Sequence, residues 1–577
     1  MQSEPVRQNG HVHSVRIDDG TIRGSTPPVE NLPWLRVCGS LGCPSDTRVR
    51  EMASRLGNPP VLLDLSAASV HGSHGIPWTT ASIQAVSWSP TPLPAALPAE
   101  ARGIAEQYDA ATLAAPASGA PYLHAGISGA APLYVDTDPA TGSAYFCSQV
   151  DPLVRTRSAP LRPDWDAWSQ ILAMGGPLLG RTPFAGIRRL APYERLTAPA
   201  EQPPQPIGAG WPWLEVTSSG QATLAPVREA LLETITALGK RASLAPLLSG
   251  GWDSRILASL AVHTCGSDLT VRTTSSDTGT VLEELVAAQV AEKLGVAHTI
   301  VPPRHDEFAK DLEYFARSVD YQTSFHVWLV PLARALFGNG DTILDGLGGG
   351  VFLGGAFPDA TSDGPVLDQR FARMGKYLEA VDMLLHPNVA AQVRARTRAA
   401  FAEVAGEFVD HPSGSAVTAY LARTLPGISL APFGLLARGN PVATPFLADA
   451  VVRPALAIPR EQHADGALYK QLLRPLAPKL ADMATAAETP QRRRHHRRRV
   501  ASPEAAEQLR ALLSREPVRG LLSPRFAAES VSTWRQMLNQ TASQHVIRSL
   551  ATLALWLQRY RGLLNEPEPG ELLERVT

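Results

Sequence analysis

The stretch LLSGGWDSR, residues 247–255, decides how the second half of the chain folds. Residues 244–248 (LAPLL) form an apolar run typical of a short buried strand, and residues 255–263 (RILASLAVH) are typical of the start of a helix. The serines and glycines between them therefore lie where a strand turns into a helix. Such a turn exposes backbone N–H groups at the positive end of the helix dipole, and glycines let an anion approach closely. The sequence predicts a phosphate-binding loop here.

The segments around this loop alternate between helix and strand patterns. Helices are predicted at 226–240 and 281–295, the second one closed by Gly295. The predicted strands are DLTVRTTSS (268–276), HTIVPP (298–303) and the start of DTILDGLGGG (341–350). This alternation predicts a parallel sheet with helices on both faces, in which ligands bind at the carboxyl ends of the strands. We call SGGWDS (249–254) the first glycine loop and DGLGGG (345–350) the second glycine loop, and we expect both at that edge.

Residues 1–200 have a different, β-rich pattern of short apolar segments separated by Gly, Pro, Ser and Asp. A hairpin is predicted over 132–148, and a helix in DWDAWSQILAMG ends at Gly175. The segment 199–213 is rich in Pro and Gly and is the predicted linker. From about residue 365 onward the chain is predicted to be mostly helical. The predicted domains are 1–205 and 226–577, joined by a linker at 206–225.

The composition describes a folded protein without a strong overall field. Of the 577 residues, 19% are charged and 44% are apolar, and the formal net charge of −1 gives no reason to expect nucleic acid or an anionic membrane as a partner. Four cysteines in so long a chain predict neither a disulfide framework nor a zinc site. The polar N-terminus lacks the apolar core of a signal peptide, and no apolar run is long enough to span a membrane. We therefore predict a soluble cytoplasmic protein.

The first glycine loop is neither a Walker A sequence, since the lysine is absent, nor a GxGxxG sequence. It resembles the SGGxDS pyrophosphate loop of the asparagine-synthetase-like ATP pyrophosphatases at every fixed position. Three further runs resemble that family in the same order. They are the helix from Glu283 to His298, PFLADAVVRPALAIP (445–459), and YKQLLRPLAPKL (469–480) with Lys470 and Arg474. The resemblance covers roughly residues 226–480.

This resemblance implies an ATP- and Mg²⁺-dependent synthetase in which a carboxylate attacks the α-phosphate and an amine then displaces AMP. The implied ATP contacts are Leu248, Ser249, Gly250, Gly251, Asp253, Ser254, Arg255, Thr273, Thr274 and Gly346. Asp253 and Asp345 would hold Mg²⁺, with Asp277 as an alternative for the second carboxylate. Lys470 would act with Asp253 in catalysis by neutralising the acyl-transfer intermediate. Glu283 and Arg474 are weaker candidates for phosphate or substrate contacts, and His298 is expected to be a packed residue.

The N-terminal half resembles the family's glutaminase domain, an Ntn-type α+β sandwich, with GRTPFAGIRRLAPYERL (180–196) similar to its closing segment. Glutamine hydrolysis in that domain needs a cysteine at the processed N-terminus, whose own amine acts as the base. Here position 2 is Gln2 and the first cysteine is Cys38. We therefore predict a degenerate scaffold domain without glutaminase activity.

Without ammonia from glutamine, the amine must come from a substrate, and relatives of this kind close rings. The chain is most like the lasso-peptide macrolactam cyclases, which implies a ribosomal precursor peptide as substrate and a companion leader peptidase and leader-binding protein as partners. A small-molecule amide or β-lactam synthetase is the alternative, although Leu347 stands where β-lactam synthetases have a tyrosine. The second glycine loop also carries Gly350 and Val351 where the family has acidic residues. This departure motivates a second alternative, a nucleotide-binding but inactive partner protein.

The basic run RRRHHRRR (492–499) has two interpretations. It is either a solvated loop or a gate near the active site that binds phosphate or an acidic precursor peptide. The absence of interleaved aromatic residues argues against nucleic acid.

Overall fold

The computed structural model of the chain describes residues 15–17, 32–198, 204–207, 210–359, 364–490 and 498–574. The first half builds two antiparallel sheets of six strands each. In spatial order the first sheet consists of Ile187–Arg189, Tyr134–Thr137, Ala144–Cys147, Val37–Leu41, Ala68–Gly72 and Val61–Leu65. The second sheet consists of Gln205–Ile207, Arg195–Thr197, Tyr122–His124, Ala111–Pro116, Ile83–Trp88 and Ile76–Thr79.

The two antiparallel sheets pack face to face and carry helices on their outer faces. Alternating apolar side chains meet between the sheets, among them Val37, Phe146, Val86 and Leu113. The helices of this half are Thr47–Arg55, Ala101–Gln107, Val150–Arg155 and Trp165–Met174. The first and third cover the first sheet, and Ala101–Gln107 covers the second. This arrangement fits the predicted α+β domain, while its assignment to the Ntn type stays a prediction.

The second half contains a parallel sheet whose strand order explains where the glycine loops lie. In spatial order its strands are Ala297–Val301, Thr270–Thr274, Leu244–Pro246, Thr342–Leu344 and Val442–Ala443, with Val15–Ile17 added beside the first of these. A parallel bridge between Leu247 and Arg272 joins the two halves of the sheet. Numbered along the chain from Leu244–Pro246, the order is 3-2-1-4-5. The order therefore reverses between Leu244–Pro246 and Thr342–Leu344, which is the position where doubly wound sheets bind ligands.

Helices cover both faces of the parallel sheet, as predicted. Leu244 and Leu344 pack with helices Ala225–Gly239 and Trp252–Cys265, while the alternate residues Ala245 and Ile343 pack toward the opposite face. The predicted helix at 281–295 is Leu282–Leu294, and Gly295 ends it in the left-handed conformation. The predicted hairpin and the helix ending at Gly175 are also present.

The remainder of the second half is mostly helical, as predicted. Its α-helices are Phe308–Ser318, Val330–Leu336, Gly349–Phe352, Val366–Met374, Leu378–Leu384, Pro387–Gly406, Gly414–Ala419, Asp449–Ala457, Ala467–Leu473, Pro478–Ala481, Pro503–Leu513, Val518–Leu521, Pro524–Ala527, Val531–Leu538, Thr541–Tyr560 and Gly570–Leu573. Two segments, Tyr420–Ile428 and Ala431–Leu436, are π-helices. Short 3₁₀ turns are Pro212–Glu215, His305–Glu307, Val327–Leu329, Pro445–Leu447, Arg460–Gly466, Arg499–Ala501 and Arg561–Leu563. Across the described ranges, no helix combines the length and the apolar character that a membrane crossing requires.

The two halves share one continuous core. Helix Trp165–Met174 of the first half packs against Pro387–Gly406 and Thr541–Tyr560 of the second. The rings of Trp168 and Trp556 meet edge to face with centroids 5.3 Å apart. The boundary that the composition indicates is therefore a boundary along the chain and not in the packing.

The end of the predicted linker is anchored, which the sequence prediction did not anticipate. The Trp211 indole donates to the carbonyl of Ile127 at 2.8 Å, and the buried Trp213 indole donates to Asp449 at 2.9 Å. Residues 199–203 and 208–209 of that segment lie outside the described residues. The part after residue 210 is thus a packed connection that contacts both halves.

Candidate active site

The first glycine loop is closed by its own two serines. The Ser249 N–H donates to Ser254 Oγ at 2.9 Å, and the two hydroxyl oxygens are 3.0 Å apart. The Gly251 N–H donates to Ser249 Oγ at 3.2 Å. These bonds hold the turn between the strand and helix Trp252–Cys265, whose N-terminus therefore opens at the switch point of the sheet.

Gly250 lies between Glu283 and Ala486, where there is no room for a side chain. Its N–H donates to Glu283 Oε2 at 2.6 Å, and its carbonyl accepts the Ala486 N–H at 3.0 Å. A Cβ added at Gly250 would lie 2.5 Å from the Cβ of Ala486. Burial raises the pKa of Glu283, and its carboxylate is already committed to the loop backbone. Glu283 lines the cavity described below, but its main contact is structural.

Asp253, in the first turn of the helix, is enclosed by the second glycine loop. The Tyr469 hydroxyl and the Gly350 N–H both donate to its carboxylate. A Cβ on Gly349 would overlap Asp253 Oδ1, and a Cβ on Gly346 would lie 2.8 Å from Asp253 Cβ. Gly346 and Gly349 are therefore required by the close approach of the backbone to this one side chain.

Asp253 and Asp345 form a carboxylate pair that fits a divalent cation. Burial raises the pKa of Asp253 to about 7, and the charge of Asp345 adds to the rise, whereas the hydrogen bond from Tyr469 opposes it. Burial also raises the pKa of Asp345 to about 6, and its Oδ1 accepts the Leu347 N–H at 2.9 Å. Within the described part of the chain, no cluster of three or more metal-ligating side chains exists. Two carboxylates are sufficient for Mg²⁺ when phosphate oxygens supply the remaining ligands.

A cavity of about 350 Å³ lies against both glycine loops and the adjoining strand ends. The predicted site residues that line it are Leu248, Ser249, Asp253, Ser254, Thr273, Thr274, Glu283, Asp345 and Gly346. The hydroxyls of Thr273 and Thr274 donate to the carbonyls of Leu248 and Val301 at 2.7 and 2.8 Å. These two threonines therefore shape the cavity wall while their hydroxyls are used in the scaffold.

His298 is a packed residue, as expected. It is buried, and its Nε2 lies 2.8 Å from Thr273 Oγ1. Burial lowers its pKa, so the neutral imidazole is favoured and it serves to hold Thr273.

Several predicted residues lie outside the cavity lining: Gly250 and Gly251 of the first glycine loop, and Arg255, Asp277, Lys470 and Arg474. Arg255 is fully buried and donates to the carbonyls of Leu480, Met483 and Ala484. Arg474 is exposed and lies 3.9 Å from the equally exposed Asp482. The Asp277 carboxylate accepts the Arg499 N–H at 2.6 Å, and of the two alternatives for the second carboxylate it is Asp345 that lines the same cavity as Asp253.

Lys470 also lies outside the cavity lining, and its neighbour Tyr469 has the more direct contact. Lys470 Nζ is 5.8 Å from the centroid of the Trp252 ring. Tyr469 is buried, donates to Asp253 and stacks on Trp252 with centroids 6.2 Å apart. The sequence analysis overlooked Tyr469, although its position directly before Lys470 in the YKQLLR run was a usable signal.

The basic run at 492–499 lies mostly outside the described residues, since only Arg498 and Arg499 are described. Arg499 is buried and forms an ion pair with Asp311. The end of the run is therefore built into the protein and is not a solvated loop.

The buried thiols of the first half are unsuited to nucleophilic catalysis. Cys38 lies in the middle of a central strand, and burial raises its pKa to about 12. Burial also raises the pKa of Cys147 well above its usual range. Gln2, at the position of the expected nucleophile, lies outside the described residues.

The second half is an α/β domain in which a doubly wound sheet carries two glycine loops and two carboxylates at its switch point. Residues 226–558 match the asparagine synthase family, and this match covers more than half of the 577 residues. The chain therefore belongs to the asparagine synthase family, whose members are ATP-dependent ligases that form C–N bonds and for which Mg²⁺ is typical. None of the curated proteins compared with the chain matches it.

Proposed function

We propose that this protein is an ATP-dependent, AMP-forming synthetase that adenylates a carboxylate of a ribosomal precursor peptide and closes a macrolactam. The observation that carries this proposal is the Asp253–Asp345 pair between the two glycine loops of an asparagine synthase family chain. The resemblance to lasso-peptide cyclases supports the choice of substrate.

The site residues suggest how the chain supports adenylation. Asp253 and Asp345 would hold Mg²⁺, which neutralises charge on the phosphates when it is bound. Tyr469 orients Asp253 through its hydroxyl, and Ser249 and Ser254 keep the first glycine loop open toward the phosphates. Lys470, next to Tyr469, is the proposed cation for the acyl-transfer step.

The amine is proposed to come from the peptide itself. The buried, protonated state of Cys38 and Cys147 supports a first half that supplies no ammonia. Holding the amine next to the activated carbonyl then accounts for ring closure by proximity. A companion leader peptidase and leader-binding protein are proposed partners, and a small-molecule amide is the alternative product.

One observation favours a second candidate, a nucleotide-binding protein without synthetase activity. At Gly350, where the family has an aspartate, only a backbone N–H is available, and it is directed to Asp253. Asp345 is then the carboxylate that would hold Mg²⁺ together with Asp253, and synthetase activity would depend on it.

The decisive experiment combines peptide mass spectrometry with measurement of AMP. A precursor peptide encoded beside the gene is incubated with the protein, ATP and Mg²⁺. We expect the peptide to lose one water as AMP appears, and both signals to vanish in Asp253→Asn but persist in the control Asp306→Asn, which alters an exposed acid. Release of AMP without a change in the peptide would favour the small-molecule alternative. ATP binding without AMP would favour the inactive partner.

A further inference from the structure

Part of the cavity wall is apolar and has no role in the chemistry described above. It comes from segments 326–332 and 423–432 and includes Trp328, Leu329, Leu332, Ile428, Ala431 and Pro432. In these two segments, the titratable side chains that line the cavity are His326 and Arg423. The presence of an arginine in an apolar wall needs an explanation, because removing a charge from water without a partner costs free energy.

The backbone that carries Arg423 is itself unusual. Arg423 lies in the π-helix Tyr420–Ile428, and the π-helix Ala431–Leu436 follows directly. Hydrogen bonding from i to i+5 is rare and is concentrated at functional sites. The guanidinium lies over the ring of Phe357, whose centroid is 5.0 Å from Cζ. Phe357 has a φ of 60°, which is a strained value for a bulky residue.

The contacts of Arg423, which is partly buried, differ from those of the buried arginines Arg189 and Arg255. Arg189 donates to the carbonyls of Gly129 and Ala130, and Arg255 donates to carbonyls of segment 480–484. For Arg423, no hydrogen bond or ion pair of the guanidinium exists within the described ranges, and its Nε is buried without a partner. The side chain is therefore a partly buried hydrogen-bond donor, and within the described ranges it has no acceptor.

Further positive charge surrounds Arg423. Arg548 is buried with its Nε unpartnered. Burial, together with the charges of Arg423 and Arg548, lowers the pKa of His326 to about 3. The charge of Arg423 likewise helps to lower the pKa of Lys376, whose main cause is burial. Asp277, the acid whose charge acts on Arg548, already accepts the Arg499 N–H. The cavity therefore has a positive field beside its apolar wall.

We propose that Arg423, with Arg548 adding positive charge, forms a subsite that binds a carboxylate of the acyl substrate. The inference rests on the proposed function for the identity of that substrate. A phosphate of ATP is the other anion available, but the first glycine loop provides its own site for phosphate. The apolar side chains around Arg423, such as Phe357, Ile428 and Pro432, suit an acyl chain better than a hydrated triphosphate.

Binding of small probes tests this subsite without the full reaction. The charged probe is N-acetylglutamate α-methylamide, and its neutral isostere is N-acetylglutamine α-methylamide. Affinities for both probes, and separately for ATP with Mg²⁺, are measured by calorimetry on the full chain. The variants are Arg423→Met, Arg423→Lys and the control Arg561→Met, which removes an exposed arginine paired with Glu568.

We expect the unaltered protein to prefer the charged probe, and Arg423→Met to weaken its binding by about tenfold or more, as loss of a charged hydrogen bond predicts. Arg423→Lys should retain part of the affinity, Arg561→Met all of it, and the Kd for ATP should stay the same in each folded variant. Equal binding of the two probes, no binding of either, or an unchanged affinity in Arg423→Met would overturn the subsite. A parallel loss of ATP affinity would assign Arg423 to the nucleotide instead. Failure of the unaltered protein to release AMP would count against the proposed function and not against these binding results.

Discussion

At the scale of single residues, Asp253 is the point at which three distant parts of the chain meet. It begins the helix after the first glycine loop, accepts the Tyr469 hydroxyl and fits against Gly346 and Gly349. The sequence suggested that glycines serve phosphate binding. The structure adds that Gly346 and Gly349 of the second glycine loop are needed for the approach of a carboxylate, which no local pattern could reveal.

Loss of the Tyr469 hydroxyl should impair the reaction while preserving the fold. Tyr469→Phe keeps the stack on Trp252 but removes a donor to Asp253. We expect pyrophosphate release to fall about tenfold, the effect of one hydrogen bond to a charged group. The matched control is Tyr193→Phe, which removes a hydroxyl bonded to Glu106 at 2.7 Å in the first half. Equal rates in the two variants would contradict the role of Tyr469.

Adding one methyl group at Gly349 should disrupt the carboxylate pair. In Gly349→Ala the new Cβ meets Asp253 Oδ1, so either the loop or the aspartate must move. We expect a loss of ATP affinity in the presence of Mg²⁺ of at least about tenfold, measured by calorimetry. Gly406→Ala, at the end of a helix with open space around the glycine, is the control and should be neutral or stabilising.

At the scale of elements, Arg255 joins the nucleotide-side helix to segment 480–486. Its guanidinium reaches three carbonyls there, and Ala486 in turn bonds to Gly250. The position directly after the loop motif suggested a phosphate contact. Sequence alone does not give the direction of a side chain, and here the buried guanidinium instead holds a neighbouring segment against the loop.

Replacing Arg255 should loosen that segment before it affects the rest of the protein. Arg255→Met leaves three carbonyls without their donor, and we expect the free energy of unfolding to fall by about 3 kcal/mol in urea titrations. Hydrogen exchange should increase over 478–490. Arg241→Met, which removes a contact of an exposed arginine with the carbonyl of Pro92, is the control. Unchanged exchange over 478–490 would show that other contacts hold the segment.

Helices, strands and turns were predictable where residues close in sequence determine them. The strand at 244–248, the helices ending at Gly175 and Gly295, and the hairpin at 132–148 follow from apolar periodicity and turn residues. The π-helices around Arg423 were not predictable, because an i to i+5 backbone is imposed by packing and not by propensity. The anchoring of Trp211 and Trp213 was missed for the same reason, since its partners are remote in sequence.

At the scale of the whole molecule, the shared core makes the two halves dependent on each other. Phe184 and Tyr560 meet with centroids 4.9 Å apart, and the Tyr560 hydroxyl donates to Asp151 at 2.6 Å. Together with Trp168 and Trp556, these contacts bury large aromatic side chains from both halves. The first half is therefore retained as a structural partner whether or not it has any activity.

Separating the halves should destabilise the second one. A fragment 210–574 exposes Trp556 and Tyr560, so we expect it to aggregate or elute as large species in size-exclusion chromatography. The full chain should unfold in a single calorimetric transition, and adding residues 1–209 as a separate chain should restore a monodisperse complex. A monomeric fragment with full affinity for ATP would contradict this dependence.

The 3-2-1-4-5 strand order also has a consequence for synthesis of the chain. Strand Leu244–Pro246 can pair with Thr342–Leu344 only after that strand has been synthesised. Likewise, Asp253 can accept the Tyr469 hydroxyl, and the cavity at the glycine loops can be completed, only after Tyr469 has been added. On the ribosome, at about 5–20 residues per second, the pocket thus stays open for on the order of ten seconds or more after its first loop emerges. The two antiparallel sheets are formed by residues that emerge earlier, and their strands pair with one another. All strands of the two antiparallel sheets are therefore synthesised before the cavity at the glycine loops can be completed.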